Sequence, residues 1–505
     1  MTDSWILAHD IGTSGIKTSI VDSGGSILDS ASFGYETRVA RPSWSEQNPD
    51  DWWQGVCRNT KALVERHSDL PGRVAGIGLS GHMLGCLPVD GDGKPLAPSM
   101  LHSDFRAGKQ ARAIDAAVGA RTIYEMTGNI LDPRSSLCKA LWLRDERPDL
   151  YKNTHRFLQS KDYVVACLTG NPDTSDYSDA SHGQFLDVSK MEYGSDVLRE
   201  IGLDLKKLPT LRRGTDVAGT LCKSAADQMG LPEGVPVVAG AGDGACAGVG
   251  AGVVVPGDIY CCLGSTAWIS GISGKAFIDE KNRLFNIVSP DGENCGVFGT
   301  VQCAGGSLQY AMKLFEQQDF AAFEKQVMEI DPGSDGLIFL PYLEGERSPI
   351  WDADARGVYF GISPTHRRAH YLRATIEGVG FALRSVLDVF REKADYPSMR
   401  LIGGGAQSPA WREVLTHACR ATLQILSVRP EDATSLGAAI TAGVGVGIFK
   451  NLHEGVRSIQ VAQESKQDVG LCERYEALYG VYKKLYPGLK DAFALSAQVM
   501  DNISK

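Results

Sequence analysis

The segment ILAHDIGTSGIK, residues 6–17, carries the strongest fold signal in this chain. An apolar run leads to Asp10, and a glycine-rich turn follows that contains Thr13, Ser14 and, just beyond, Lys17. Such a turn brings backbone N–H groups and hydroxyls to a point that phosphate oxygens can approach closely. The pattern predicts a strand–turn–strand unit that grips phosphate, with Asp10 available to Mg²⁺ through water. The alternative is a plain β-turn in which Asp10 caps local N–H groups.

A similar turn recurs about half a chain later, where the apolar run IYCCL leads into Gly264, Ser265 and Thr266. After both turns, strand-like and helix-like segments alternate. This duplication predicts an α/β chain of two related domains, with residues 1–254 in the first and 255–505 in the second.

Hydrophobic periodicity places the secondary structure around these turns. We expect an opening three-stranded meander with a tight turn, DSGG, that starts at Asp22. Ser408 followed by Pro409 predicts a helix N-cap. The predicted strands span residues 5–9, 16–21, 27–33, 74–79, 235–239 and 399–402. The predicted helices span residues 51–66, 107–118, 137–145, 161–168, 365–393 and 409–421.

Charge and cysteine content narrow the function classes. The net charge of −10 argues against binding to nucleic acid or to a membrane surface. No secretory signal is visible, and the Gly-, Ala- and Val-rich stretch 235–263 is interrupted by acids and a proline, which argues against a membrane span. The 12 cysteines are irregularly spaced and form no CxxC pair, which indicates reduced thiols in a cytoplasmic protein.

Asp243 is the candidate general base. It follows the apolar run 235–239, lies between two glycines and is expected at a helix N-terminus. Phosphoryl transfer to an alcohol needs a carboxylate there, because the hydroxyl must be oriented and its proton accepted. The alternatives are a simple N-cap aspartate and a dinucleotide-binding fingerprint over residues 240–245. The fingerprint is disfavoured because the next strand ends in Leu263 rather than in an acid.

A third glycine-rich segment, GGGAQS at residues 403–408, separates a predicted strand from a predicted helix. Its glycines let the backbone lie against a planar base or a phosphate, although a tight turn without a ligand remains the alternative. Gly305 and Gln309 belong to a similar predicted helix start and are weaker candidates for the same nucleotide.

The polar residues His82, Met83, Asp104 and Arg106 are candidates for binding a polyol, because such a substrate needs convergent donors and acceptors. Each of them also has a structural interpretation. Arg106 is able to form a surface ion pair, and His82 is able to sit satisfied in a loop.

Several motifs, taken together and in order, resemble the FGGY family of carbohydrate kinases over essentially the whole chain. The first half contributes DIGTSGIK (10–17), SEQNPDDWW (45–53) and TSDYSDAS (174–181). The second half contributes GSTAW (264–268), AGGSLQ (304–309), FLPYLEGERSPIWDADARG (339–357), GGGAQS (403–408) and LGAA (436–439). The resemblance implies two ribonuclease-H-like domains, of the actin- and hexokinase-like ATPase superfamily, flanking a central cleft.

The resemblance also implies roles for individual residues. Asp243 corresponds to the catalytic base and Asp10 to the metal-associated acid, both near Mg²⁺. Sugar contacts are expected from His82, Met83, Asp104 and Arg106. ATP contacts are expected from Thr13, Ser14, Lys17, Gly264, Ser265, Thr266, Gly305, Gln309, Gly404, Gly405, Ala406 and Ser408.

Within this family the chain is most similar to the xylulokinases, from which it departs at two positions. Leu84 and His102 stand where histidine and tryptophan are usual, and a leucine side chain cannot hydrogen-bond a sugar hydroxyl. The expected activity is ATP-dependent phosphorylation of a small sugar, with a ketopentose such as xylulose as the main candidate. The alternatives are another pentose or polyol, a non-catalytic sugar sensor, or an actin- or chaperone-like ATPase. The oligomeric state stays open, with a homodimer as one candidate.

Overall fold

The computed structural model describes residues 4–503. The chain divides into two compact units that are each discontinuous in sequence. Unit 1 comprises residues 1–256, 272–297 and 432–459, and unit 2 comprises residues 257–271, 298–431 and 460–505. The boundary after residue 254 stays a prediction.

The sheet of unit 1 is built on the predicted opening meander. Trp5–Ile11 pairs antiparallel with Gly15–Asp22, which pairs antiparallel with Ile27–Gly34. On its other side Trp5–Ile11 runs parallel to Val74–Gly81. The full order is Val217–Thr220, Pro236–Val238, Val74–Gly81, Trp5–Ile11, Gly15–Asp22 and Ile27–Gly34, with Ala241–Gly242 also paired to Val74–Gly81.

The second sheet repeats this topology. Ile259–Leu263 pairs antiparallel with Ala267–Ser273 and parallel with Ser398–Ile402. Its order is Phe285–Val288, Cys295–Val301, Ala267–Ser273, Ile259–Leu263, Ser398–Ile402, Thr422–Leu426 and Val461–Ser465. In both sheets a hairpin is followed by two parallel strands and an antiparallel edge strand. The predicted duplication is therefore confirmed at the level of strand order.

The six helices with predicted bounds are all present, each within a few residues of those bounds. The helices of unit 1 are Pro49–Arg66, Leu70–Arg73, Gly108–Val118, Ala120–Thr127, Ser136–Glu146, Pro148–Asn153, Ser160–Thr169, Tyr177–His182, Ser195–Glu200, Lys223–Met229, Asp243–Gly250, Ala433–Gly445 and Leu452–Gly455. Those of unit 2 are Gly305–Leu314, Phe320–Met328, Arg368–Arg391, Pro409–Ala418 and Val469–Ile503. The predicted end at residue 421 was wrong, because Arg420 adopts a positive φ of 49° and a strand begins at Thr422. None of the described helices has the length and hydropathy that a membrane span requires.

Short two-stranded pairs complete the described fold. They join Glu46–Gln47 to Ser99–Met100, Leu87–Val89 to Arg156–Leu158, Ser175–Asp176 to Leu211–Arg212, Leu186–Asp187 to Glu192–Tyr193, and Ile338–Leu340 to Val358–Phe360. All 12 cysteines are free thiols, as predicted from their spacing.

The helix that begins at Asp243 is locked against helix Ala433–Gly445. A Cβ atom on Gly437 would lie 1.9 Å from the carbonyl oxygen of Cys246, so only glycine allows the two backbones to approach this closely. The contact draws on residues 432–459, which return to unit 1 after the chain has built most of unit 2. The position of Asp243 therefore depends on a segment that begins, near Ala433, almost 200 residues later in the sequence.

Candidate active site

Asp10 and Asp243 are brought together by three strands that end side by side. Ile11 is in register with Gly81 on the parallel neighbour, and Gly81 is in register with Gly242. Asp10 is thus one residue before the end of its strand, and Asp243 is one residue past the end of another. Carboxyl ends of parallel strands meet at one edge of a sheet, which explains how residues so far apart in sequence share a site.

Asp243 is the first residue of helix Asp243–Gly250, and Gly242 is the N-cap. The alternative that Asp243 is the N-cap is therefore wrong, because the N-cap is the residue before it. Its Oδ1 atom accepts a hydrogen bond of 2.7 Å from the backbone N–H of Gly244, which leaves Oδ2 for other partners. An acid in the first turn is also favoured by the helix dipole.

Burial disfavours the ionised form of both carboxyl groups. Burial raises the pKa of Asp243 to about 7, and the negative charge of Asp10 adds to the effect. Burial also raises the pKa of Asp10 to about 6, against smaller opposing effects from Ser80 and Lys17. Oδ1 of Asp10 is buried and has no hydrogen-bond partner among the described residues. An orphaned acidic oxygen beside a second carboxylate fits a hard divalent cation such as Mg²⁺.

These shifts make the stability of the ligand-free protein depend on pH. Because the folded pKa of Asp243 exceeds the ordinary value of 3.8, the folded state holds a proton that the unfolded state has released between about pH 4 and pH 7. Stability is lost as the pH rises through this window. Each pKa unit corresponds to about 1.4 kcal/mol, so we expect Asp243→Asn to stabilise the protein at pH 7.5 by at least about 1 kcal/mol more than at pH 5. Denaturant unfolding at both pH values measures this, and equal effects at both would contradict it.

The turn after Asp10 is held by contacts that leave its hydroxyls exposed. The backbone N–H of Gly12 donates to the oxygen of Gly15 at 2.9 Å, and Tyr35 donates its hydroxyl to the oxygen of Gly12. Nε2 of Gln47 donates to the backbone oxygen of Thr13 at 2.6 Å. Gln47 comes from the SEQNP motif, so that motif braces the turn. The side chains of Thr13 and Ser14 remain exposed.

Lys17 points toward a different partner from the one predicted. Its Nζ atom forms an ion pair with Asp432, the residue before helix Ala433–Gly445. The lysine side chain is about one-fifth exposed and the aspartate is buried. In the ligand-free protein this ion pair therefore ties the opening hairpin to the returning segment 432–459. A role for Lys17 at a phosphate stays a prediction.

His82 and Met83 are both buried rather than open to solvent. The His82 ring is 1% exposed and stands edge-on to Trp52 at 5.3 Å between ring centres. Burial lowers the pKa of His82 to about 3, so the ring is neutral. Neither ring nitrogen has a hydrogen-bond partner among the described residues. Met83 is also buried and packs against Gly242.

Asp104 and Arg106 engage each other. Asp104 is fully buried, accepts from the backbone N–H of Ser45 at 2.7 Å, and receives Nε and Nη2 of Arg106 on its carboxylate. The guanidinium also reaches Glu46 at 2.7 Å and stacks on Trp44 at 3.6 Å. The ion pair that was the alternative for Arg106 is therefore present, but it is buried rather than on the surface. A sugar contact by either residue stays a prediction.

Lys139 anchors the loop that carries Leu84, and sequence reasoning missed it. Its Nζ atom is buried and donates to the backbone oxygens of Leu84 and Leu101, both at 2.6 Å. Leu84 adopts a positive φ of 61°, which is unfavourable for a leucine and needs such support. Burial lowers the pKa of Lys139 to about 8. The surrounding sequence KALWL predicts only a helix. The partners of Lys139 are backbone oxygens far away in sequence, so no local pattern indicates them.

In unit 2 the turn Gly264–Thr266 is joined to the start of helix Gly305–Leu314. Gly305 and Gly306 donate their N–H groups to the oxygens of Gly264 and Ser265, at 2.9 and 3.0 Å. The Ser265 side chain is exposed. Gln309, one helical turn after Gly305, is exposed as well. Both predicted phosphate-binding segments of this unit therefore meet.

The segment Gly403–Ser408 lies beside that turn, because Ile402 is in register with Cys262 on the neighbouring parallel strand. Residues Gly404–Gln407 form a 3₁₀ turn rather than an open loop. Ser408 caps helix Pro409–Ala418 through Trp411 at 3.2 Å, as predicted, and donates its hydroxyl to Glu324. Ala406 is buried, whereas Gly404 has open space around it.

Comparison with known proteins identifies the family of the chain. The model of the FGGY family of carbohydrate kinases, N-terminal domain, matches residues 5–250, and that of the C-terminal domain matches residues 260–446. A xylulose kinase of Lactococcus lactis is 30% identical over 99% of both chains. A gluconokinase of Bacillus subtilis is 29% identical over 86% of both chains.

The fold is confirmed by a solved structure. The ligand-bound xylulose kinase from Lactobacillus acidophilus superposes with a TM-score of 0.92 at 23% identity, covering 97% of this chain and 99% of the other. The predicted pair of ribonuclease-H-like domains is the shared architecture. With both halves matched in order, the chain belongs to the FGGY family of carbohydrate kinases and is an ATP-dependent sugar kinase.

Proposed function

We propose that the enzyme transfers the γ-phosphoryl group of ATP to a hydroxyl of xylulose, with Asp243 as the general base. The observation that carries the base assignment is the position of Asp243 at the start of helix Asp243–Gly250, beside Asp10, where burial and the Asp10 charge also raise its pKa to about 7. A base is most effective when its pKa lies near the working pH. The relatives named xylulose kinase support the sugar.

In this mechanism Asp243 orients the attacking hydroxyl through Oδ2 and accepts its proton as the new P–O bond forms. Asp10 and Asp243 would hold the Mg²⁺, directly or through water. Bound there, Mg²⁺ supplies positive charge that stabilises the phosphate oxygens during transfer. In unit 2, the backbone N–H groups and hydroxyls of the 264–266 turn would bind phosphate, and Gly404 would approach the adenine side.

The described charges near the loop that carries Leu84 favour a neutral substrate over a sugar acid. Two cations in this region, Lys139 and Arg106, are already engaged with backbone oxygens and with carboxylates. A gluconate carboxylate would have to displace one of these partners. The gluconokinase relative nevertheless makes gluconate the second candidate, and Leu84 leaves other neutral pentoses and polyols open.

An ADP-release assay over ketopentoses, aldopentoses, polyols, hexoses and gluconate tests the substrate. We expect the largest kcat/KM for D-xylulose and at least about tenfold less for gluconate, because an unpaired carboxylate costs more than 1.4 kcal/mol to bury. A larger value for gluconate would overturn the xylulose assignment. ADP release that ignores every sugar would instead favour a chaperone-like ATPase, and sugar-dependent stabilisation without ADP would favour a sensor.

The Mg²⁺ requirement, a cytoplasmic location and a homodimer remain part of this proposal. Loss of ADP release on chelation with EDTA, restored by Mg²⁺ but not by Na⁺, supports the first. Light scattering of the purified chain measures the oligomeric state.

A further inference from the structure

The backbone N–H directly before Asp243 is held by a side chain from a distant segment. Gly242 donates to Oγ of Ser178 at 2.8 Å, and both residues are buried. Ser178 belongs to the TSDYSDAS motif, which otherwise has no assigned task. Without this acceptor the N–H of Gly242 would be buried without a partner, a situation that proteins rarely tolerate.

The direction of this hydrogen bond is determined by the groups behind it. The Ser178 hydroxyl donates to Oδ2 of Asp176, which can only accept when ionised. Oδ1 of Asp176 in turn lies 2.8 Å from Nζ of Lys161. The hydroxyl hydrogen is therefore committed to Asp176, and a lone pair of the oxygen faces Gly242.

A small shift of the Gly242 backbone would change the distance between Asp243 and Asp10. It pairs with Gly81, which pairs with Ile11, next to Asp10. Space on its other side is filled, since a Cβ atom on Gly242 would lie 2.4 Å from Sδ of Met83. Of the contacts around Gly242, the Ser178 hydrogen bond is therefore the one that a side-chain substitution removes without moving the sheet.

We propose that Ser178 is a positioning residue for Asp243, which it holds at a set distance from Asp10 by fixing the N–H of Gly242 against the buried Lys161–Asp176 pair. This inference rests on the proposed role of Asp243 as the base. Loss of the hydroxyl lets the start of the helix relax away from Asp10. A misplacement of about 1 Å at a reacting group can cost about 100-fold in rate.

The test compares Ser178→Ala with Ser175→Ala. Ser175 lies in the same motif, is buried, and donates its hydroxyl to Asp162, another partner of Lys161, at 2.8 Å, but it does not contact Gly242. We expect Ser178→Ala to lower kcat about 10- to 100-fold, with the KM for ATP changed less than about twofold. We expect both variants to lower the denaturation midpoint by comparable amounts, because each deletes one buried hydroxyl. The kcat of Ser175→Ala should stay within about threefold of the wild type.

The split between kcat and KM distinguishes positioning of Asp243 from a purely structural role of Ser178. Equal kcat for the two serine variants would overturn the inference. Asp243→Asn in the same assay separates the causes: if it stays active, the proposed base is wrong, and if it is inactive while the serine variants match, only the role of Ser178 is wrong.

Discussion

Asp243→Asn should lower kcat for sugar phosphorylation by about 10²–10⁴-fold, the range that a general base contributes. The asparagine keeps an oxygen for the N–H of Gly244, so the start of helix Asp243–Gly250 is preserved. It cannot accept the proton of the sugar hydroxyl. The KM for the sugar should change little, because orientation by a neutral amide is retained. Steady-state kinetics at saturating ATP measure both constants.

Asp319→Asn is the matched control. Asp319 caps helix Phe320–Met328 through the N–H of Ala321 at 2.9 Å, so its substitution removes the same charge at another helix start. Its kcat should remain near that of the wild type. If Asp243→Asn were as active as this control while folded, Asp243 would not be the base.

Of the proposed single variants, Lys161→Met should lower the free energy of unfolding most, by about 3–5 kcal/mol, because it leaves buried carboxylates without their cation. Nζ of Lys161 lies 2.5, 2.8 and 3.1 Å from oxygens of Asp162, Asp176 and Asp179. All four side chains are at most 1% exposed. Burial raises the pKa of Asp179 well above its usual range.

Lys207→Met is the comparison for this loss. Lys207 is also buried, but it donates to a single backbone oxygen, that of Thr154, at 2.7 Å. Its removal should cost only ~1 kcal/mol. Urea unfolding at constant m-value compares the two variants. Should Lys161→Met prove too unstable to purify, the double variant Lys161→Met/Asp179→Asn removes one acid of the cluster as well and should recover part of the loss, because fewer buried acids then lack a cation. Equal costs for Lys161→Met and Lys207→Met would contradict the account.

The parts of this fold that depend on local sequence could be predicted. The turn at Gly12–Gly15, the hairpin at Asp22 and the Ser408 cap each follow from a few neighbouring residues, and all three are present. The placement of Asp243 at a helix start could also be predicted from local sequence, because it follows an apolar strand and lies between two glycines. The resemblance added what these motifs do together.

Contacts made across the sequence could not be predicted. The sequence predicts sugar contacts for Asp104 and Arg106, but it does not show that Asp104 pairs with Ser45 or that Arg106 pairs with Glu46 and Trp44. The TSDYSDAS motif was only a family marker until the structure placed Ser178 against Gly242. The ion pair between Lys17 and Asp432 joins residues more than 400 positions apart. No periodicity or spacing encodes such pairs.

The most direct test of the central claim is ³¹P NMR of wild type and Asp243→Asn incubated with ATP, Mg²⁺ and D-xylulose. We expect the wild type to convert the γ-phosphate signal into a sugar phosphate monoester at the rate of ADP formation, and the variant to form this signal at least about 100-fold more slowly. Phosphate released only as the inorganic ion, or equal monoester formation by the variant, would contradict it.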